Sequence, residues 1–308
     1  MFTGALSITH LTRKDWEKFQ KFFLYVYHMK GEVWQGGSPI IKHNLSRPNY
    51  SLENDLFIAE WKARMVGIAD VTFELRLARA IVDWFVHPAF HRKKVGRALL
   101  RYASARGRDL GAKVAHMCIQ EEDEFSKNFS VEIGFFQIRC FLEMEIDLIQ
   151  ASPESPGKVK TEHFRPGDEA LLATTQNRVF SGSWGFCPNS PEDIRYYLRV
   201  TDSRWHDILL IREEEKIVGY FWPYTVMEEK RTGAKQKWRI HMFGIEPGFQ
   251  GKGWGKKLLW AGLEYLKKKG ARAAELTVDQ ENIPALGLYK SLGFKTKRRD
   301  FWYEKSLL

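Results

Sequence analysis

The chain has 308 residues, 44% apolar and 14% aromatic, enough for about two domains with packed cores. No uninterrupted apolar run reaches the roughly 18–20 residues of a membrane span. The opening Met1-Phe2-Thr3-Gly4 lacks a basic stretch before an apolar one, so neither a membrane partner nor secretion is expected. Three widely spaced cysteines, Cys118, Cys140 and Cys187, indicate neither a disulfide framework nor a metal site, and a cytoplasmic location is the expectation. The formal net charge of +10 raises nucleic acid as a partner. The basic residues, however, gather partly at two turns: His91-Arg92-Lys93-Lys94 with Arg97, and Lys252 with Lys256-Lys257. A polyanionic small molecule accounts for these clusters, and Lys267-Lys268-Lys269 ends a helix and suits its dipole. Nucleic acid is therefore not expected.

In chain order, a strand and one or two helices precede two hairpin strands, Leu56 to Glu60 and Met65 to Phe73. Ile81 to Val86 reads as a further strand, followed by a turn into a helix, a strand from Lys113 to Ile119, another helix, and a closing strand from Phe141 to Leu148. Ala151-Ser152-Pro153-Glu154-Ser155-Pro156-Gly157 has linker composition. The order then recurs. Val159 to Phe164 is the expected first strand, Ile208 to Ile211 and Lys216 to Tyr220 the hairpin, and Ile240 to Ile245 the strand before a glycine-rich turn. Helical spacing of Leu258, Leu259, Gly262, Leu263 and Leu266 follows, then a strand from Ala273 to Val278.

This recurrence is a duplication. Val86-His87-Pro88 and Ile245-Glu246-Pro247 stand 159 positions apart, as do Gly96 and Gly255, and Gly134-Phe135 and Gly293-Phe294. Arg64-Met65-Val66-Gly67 and Lys216-Ile217-Val218-Gly219 stand 152 apart, which places extra residues of the second copy at the polar stretch Met227 to Lys235. The expected fold is α/β (α+β): two tandem domains, each a mixed, mostly antiparallel sheet flanked by helices. Residues 1–150 form the first, 151–157 the linker and 158–308 the second.

Gln250-Gly251-Lys252-Gly253-Trp254-Gly255 joins a strand to a helix. Glycines let the backbone approach a ligand, N–H groups point outward, and the helix dipole adds positive charge, which together make an anion cradle. The pattern Q-x-x-G-x-G after V/I-x-P resembles the coenzyme A pyrophosphate loop of the GCN5-related N-acetyltransferases, the GNAT family. Leu276-Thr277-Val278, Asn282, Ala285, Leu288-Tyr289 and Gly293-Phe294 resemble that family's second block at its spacing. Two copies with the intact loop in the second resemble the mycothiol synthase group of the family.

The resemblance implies acetyl-CoA as cofactor and direct transfer of its acetyl group, in a ternary complex, to a primary amine on a small molecule or peptide. It implies cofactor contacts from Phe243, Gly244 and Ile245, from Gln250, Gly251, Lys252, Gly253, Trp254, Gly255 and Lys256, and from Asn282, with no metal. Backbone N–H groups at Phe243 to Ile245 are placed to stabilise an oxyanion. Asn282 either contacts the pantetheine arm or caps a helix. Tyr289 matches the family tyrosine that protonates the leaving thiolate; a phenol with a pKa near 10 suits that role, and packing is the alternative.

Many relatives carry a glutamate base six residues before the valine of V-x-P. Here that position is Arg239, which accepts no proton at neutral pH. His241 is the candidate base, and strand alternation places it with Arg239, Phe243 and Ile245 unless a bulge intervenes. In the first copy His91 and Lys94 depart from the loop pattern, Asp123 stands for Asn282 and Ser130 for Tyr289, so that copy is expected to be degenerate and non-catalytic. The acceptor region falls at Asn177 to Phe180 and Ser183 to Pro188, whose aromatic residues either wall a pocket or fill a core. A non-catalytic acyl-CoA-binding module is the competing function; Arg239 favours it and Tyr289 disfavours it.

Overall fold

A computed structural model describes residues 6–29, 47–48, 50–150, 155–201, 203–230 and 233–308. The first five residues and positions 151–154 of the expected linker lie outside the described residues. Two compact units divide the chain: residues up to Arg139 with Phe301–Leu308, and Cys140–Asp300.

In unit 1, strands β1 (Leu6–His10), β2 (Leu56–Trp61), β3 (Arg64–Glu74) and β4 (Arg79–Val86) pair antiparallel in that order. Strand β5 (Val114–Gln120) then joins β4 in parallel. Alternation divides each strand between two faces. Phe57 and Ala59 of β2 lie under helix α3 (Val95–Asp109) with its Leu99, Leu100 and Ala103. Leu56 and Ile58 face helix α1 (Trp16–Met29), whose Phe19, Phe22, Phe23 and Val26 recur at helical spacing. Short helices α2 (Leu52–Asp55) and α4 (Glu124–Glu132) also belong to the unit.

In unit 2, β7 (Glu162–His163), β8 (Leu209–Glu213), β9 (Lys216–Lys230) and β10 (Gly233–Ile245) pair antiparallel. Parallel β11 (Ala273–Asp279) follows β10. Helices α5 (Glu169–Val179) and α6 (Pro191–Val200) cover one face around Phe164, Ile194, Tyr220 and Trp222. Helices α7 (Trp254–Lys268) and α8 (Ile283–Ser291) cover the other around Phe221, Ile245, Leu258 and Leu276. The predicted α7 stripe is buried throughout. Gly262 lets α7 approach β9 closely, because a methyl there would stand 2.7 Å from the Phe221 ring.

Two features depart from the sequence expectation. Of the strand expected over Val159 to Phe164, only Glu162 and His163 pair. The extra residues placed at Met227 to Lys235 lengthen the β9–β10 pair where they are described, with Gln236 opposite Met227 and Gly233 opposite Lys230. The units also divide elsewhere than at 150/151. In strand β6 (Phe136–Asp147), residues 141–147 pair with β11 inside unit 2. Strand β12 (Lys295–Ser306) ends in unit 1, where Glu304 meets His116 at 2.7 Å and the Leu307 N–H donates to the Lys113 carbonyl at 2.8 Å. A closing strand needs an open edge, and the edge it takes need not be that of its own repeat.

Candidate active site

The glycine-rich turn forms as its residues require. After Pro247–Phe249 turns the chain, Gly251 has φ 73° and Gly253, the N-cap of α7, has φ 81°. Both values lie in the left-handed region that favours glycine. No side chain caps the helix, and a methyl at either glycine would meet nothing within 4 Å. The first-turn N–H groups lack intrahelical acceptors and sit at an open positive helix end. Gln250 spans the turn, its Nε2 donating to the Ile245 carbonyl at 2.8 Å, and Lys252 Nζ donates to the Gly248 carbonyl at 3.0 Å. Half-buried Trp254, Gly255 and Lys256 lie in the first turn of α7.

Beside the turn, two strands part. The β10–β11 pairing ends at Arg239 opposite Glu275, whereas β10 stays paired with β9 to Ile245 opposite Gly219. The edge of β10 from Met242 to Ile245, including Phe243 and Gly244, therefore opens toward β11. Tyr289 of α8 reaches this region, its ring 6.4 Å from Phe243 and 5.7 Å from Phe294. Burial pushes its phenol above the ordinary value, and its hydroxyl makes no hydrogen bond among the described residues. Asn282 caps α8, its Oδ1 accepting from the Ala285 N–H at 3.2 Å. Gly244 has a packing reason as well: a methyl would stand 2.5 Å from Val179 Cγ1 and 3.1 Å from the Tyr220 hydroxyl.

The face expectation for His241 is corrected. Register shifts between Ile240, opposite Pro223, and Met242, opposite Trp222, so His241 is the extra residue of a bulge. Its ring packs with Tyr197 at 5.1 Å, Trp222 at 5.0 Å and Tyr224 at 5.9 Å. Phe243 and Ile245 belong to the core under α7 and α8, on the opposite face. His241 thus shares a face with Arg239 but not with Phe243 or Ile245.

Arg239 stands among charges that sequence reading missed. Its Nη2 lies 3.5 Å from Glu143 and 3.3 Å from Thr277 Oγ1, and its Nη1 lies 3.8 Å from Glu275. Burial opposes its charge, but Tyr224, Glu143, Glu275 and Asp300 outweigh that and raise its pKa. Burial also works against the Glu275 carboxylate, yet hydrogen bonds from Lys297 and Lys237 hold it well below the usual range. The alternations Leu142-Glu143-Met144-Glu145 and Ala274-Glu275-Leu276-Thr277 signalled one polar strand face, though not its partners.

The acceptor-region residues form the last turn of α5 and an anchored loop after it. Asn177 donates to the Asn189 carbonyl at 2.8 Å and accepts from its N–H at 2.7 Å. Phe180 stacks on Phe186 at 5.2 Å, and Trp184 lies 5.8 Å from Phe141 of β6. Arg178 Nε donates to Glu246 at 2.7 Å, tying α5 to the end of β10.

Unit 1 repeats this frame with aromatic rings clustered beside its turn. Lys94 is the helix N-cap at φ 59°, where unit 2 has Gly253. His91 Nε2 lies 2.9 Å from the Val86 carbonyl, reproducing the Gln250 contact. The His91 ring stacks on Phe125 at 3.7 Å; Phe125 lies 5.8 Å from Phe129, and Phe129 lies 5.3 Å from Trp84. By the repeat offset these rings stand where unit 2 has Gln250, Pro284, Leu288 and Phe243. Buried Ser130 stands where unit 2 has Tyr289, and Asp123 caps α4 as Asn282 caps α8.

Both frames match one known family. The acetyltransferase (GNAT) family matches residues 14–135 and again 173–294. The chain belongs to the GNAT acetyltransferase family. Relatives include mycothiol acetyltransferases from Renibacterium salmoninarum, 29% identical over 79% of this chain and 73% of that one, and from Thermomonospora curvata, 31% identical over 71% of each. Among solved structures, a tandem GNAT protein from the clavulanic acid biosynthesis pathway has TM-score 0.73 at 16% identity, covering 99% of each chain. A GCN5-related N-acetyltransferase from Sphaerobacter thermophilus has TM-score 0.71 at 19% identity, covering 98% of this chain and 96% of that one. This tandem GNAT chain is an N-acetyltransferase, and no helix among its described residues is long and apolar enough to cross a membrane.

Proposed function

We propose that unit 2 transfers an acetyl group from acetyl-CoA to a primary amine on a small molecule or peptide, with both bound together, and that unit 1 takes no part in the chemistry. The reading is carried by the convergence in unit 2 of an open glycine turn at a helix start, the unpaired edge of β10 and the Tyr289 hydroxyl. The mycothiol acetyltransferase relatives support a small-molecule acceptor.

The turn fits a pyrophosphate, since it offers N–H groups, no obstructing side chain and Lys252 and Lys256 nearby. N–H groups from Gly251 to Gly255 would hold the phosphates, and Trp254 and Asn282 would flank the pantetheine arm. Bound acetyl-CoA supplies an activated thioester carbonyl. Alternate N–H groups of β10 bond β9, as that of Glu246 does to the Val218 carbonyl, which leaves the N–H groups of Phe243 and Ile245 facing the opening, where they would orient that carbonyl and stabilise negative charge growing on its oxygen. The Tyr289 Oη, kept protonated by burial, donates its proton to the leaving sulfur. Arg239 cannot accept a proton, so His241, on the same face, takes the one released by the amine. In unit 1 the stack of His91, Phe125, Phe129 and Trp84 fills the corresponding opening, so one acyl-CoA binds per chain.

Incubating the purified chain with acetyl-CoA and a panel of primary amines tests the reading by thiol release and by mass. Acetylated amine, lost in Tyr289→Phe, is the expected result. Binding of acetyl-CoA without turnover of any amine would instead favour a non-catalytic acyl-CoA-binding module, the reading that Arg239 in the base position supports.

A further inference from the structure

The charges around Arg239 are unevenly satisfied. Glu275 accepts from Lys297 at 2.6 Å and from Lys237 at 3.0 Å. Glu143 lies 2.8 Å from Arg298 and 3.4 Å from Lys297. Arg239 approaches the same two carboxylates only at 3.5 and 3.8 Å. Both carboxylates therefore have closer cations and do not depend on Arg239 for neutralisation. A guanidinium carries five donors in a planar fork. Among the described residues the hydrogen bonds of this one are two long contacts from Nη2, and a quarter of its side chain, 25%, stays exposed.

Its position is as informative as its partners. Arg239 stands opposite Glu275 on β11, yet its Nη2 reaches Thr277, two residues nearer the parting of the strands. Phe243 lies three register steps beyond Arg239, because their partners on β9 are Phe221 and Tyr224. The guanidinium thus lies within one to three strand residues of the Phe243 N–H, roughly 3–10 Å along the strand. It shares its face with His241.

We infer that Arg239 selects the acceptor by binding a carboxylate carried on the same molecule as the reactive amine. The inference rests on the amine-acetylation reading and narrows its substrate class to amines that bear an acidic group, such as amino acids and short peptides with a free C-terminus. A carboxylate meets the fork with two parallel hydrogen bonds and replaces the water that the half-buried cation gives up. A neutral amine leaves the same donors without a strong acceptor.

The test uses acid and amide pairs, glycylglycine against glycylglycinamide and 4-aminobutyrate against 4-aminobutanamide. Transfer kinetics are measured with acetyl-CoA, and equilibrium binding to the coenzyme A-loaded chain by calorimetry. The wild-type chain should favour each acid by about 10- to 100-fold in kcat/KM, expressed in KM, as one charge-assisted pair allows. Arg239→Gln should bring acid and amide to the same kcat/KM, and Arg239→Lys should restore part of the preference. Lys237, Lys297 and Arg298 still neutralise Glu143 and Glu275 in these variants, so folding is expected to persist. Equal use of acid and amide by the wild-type chain, or equal losses for both in Arg239→Gln, would overturn the inference. If no amine is acetylated, the transfer reading fails by itself, and calorimetry still decides: tighter binding of the acids, lost in Arg239→Gln, supports the carboxylate site, whereas no difference removes it.

Discussion

Replacing Gly253 by alanine separates folding strain from ligand approach. Gly253 has φ 81°, and a methyl there would meet no atom within 4 Å, so the cost to the fold is conformational alone. An L-residue in the left-handed region costs roughly 1–2 kcal/mol. At about 2–4 °C per kcal/mol for a domain of this size, Tm should fall by only a few degrees. Lys94 already occupies this conformation in unit 1, at φ 59°. The effect on acyl-CoA should be much larger, because the methyl enters the space through which phosphate oxygens reach the first-turn N–H groups. Losing two charge-assisted hydrogen bonds at roughly 1.5–3 kcal/mol each weakens binding by about 10²–10⁴-fold. Gly270→Ala is the matched control: Gly270 has φ 85° with nothing within 4 Å of a methyl, past the other end of α7. Calorimetric titration with coenzyme A and thermal melting would be run on both variants. Equal melting losses with wild-type affinity in Gly253→Ala would show that this turn is not the phosphate cradle, and an equal affinity loss in Gly270→Ala would show that strain alone accounts for the effect.

Four further outcomes are expected. Tyr289→Phe should lower kcat by roughly 10²–10⁴-fold with little change in coenzyme A affinity, and an unchanged kcat would leave the ring as packing. His241→Gln should cost roughly 10²-fold in rate and remove a rising limb of kcat/KM between about pH 6 and 8; a limb that persists would assign it to the acceptor amine. Native mass spectrometry should find one coenzyme A per wild-type chain, and two equally tight sites would contradict the ring stack in unit 1. Asp70 in unit 1 faces Asp83 across the β3–β4 pair and accepts from the Tyr50 hydroxyl at 2.7 Å; burial pushes its carboxyl up to about 7. The folded chain then holds a proton that the unfolded chain releases near 3.8, so stability should fall by about 4 kcal/mol as pH rises from about 4 to 7. Asp70→Asn keeps the acceptor for Tyr50 and should flatten this slope in urea unfolding at pH 5 and pH 8; an equally steep slope in the variant would count against Asp70 as its source.

The site was unevenly legible before folding was considered. Gly251 and Gly253 read as residues that let the backbone approach a ligand, and both take the left-handed conformation that glycine favours. Asn282 read as a pantetheine contact or a cap, and it caps α8. Gln250 read as a ligand contact, and the structure adds a local role, its side chain bonding the Ile245 carbonyl across the turn. His241 was misplaced relative to Phe243 and Ile245 because alternation carries no signal for one inserted residue; the bulge shows only against the register of β9. The polar faces of β6 and β11 were visible as patterns, but their relation to Arg239 was not.

What the sequence determined by itself is what neighbours along the chain encode. The helical stripe of α7, the glycine turn, the caps and the duplication each arise within a few residues or from comparing one copy with the other. Tertiary structure decided the rest, because it depends on which distant strand or helix supplies the other half of a contact. Arg239 meets Glu143, 96 positions away, and His116 meets Glu304, 188 away. Gly244 is required by the approach of Val179, and the rings clustered beside the unit 1 turn converge from β4, α4 and the turn between β4 and α3. Such contacts follow from strand pairing and helix packing, whose free energy is shared among residues far apart in the chain, so no local stretch of sequence specifies them.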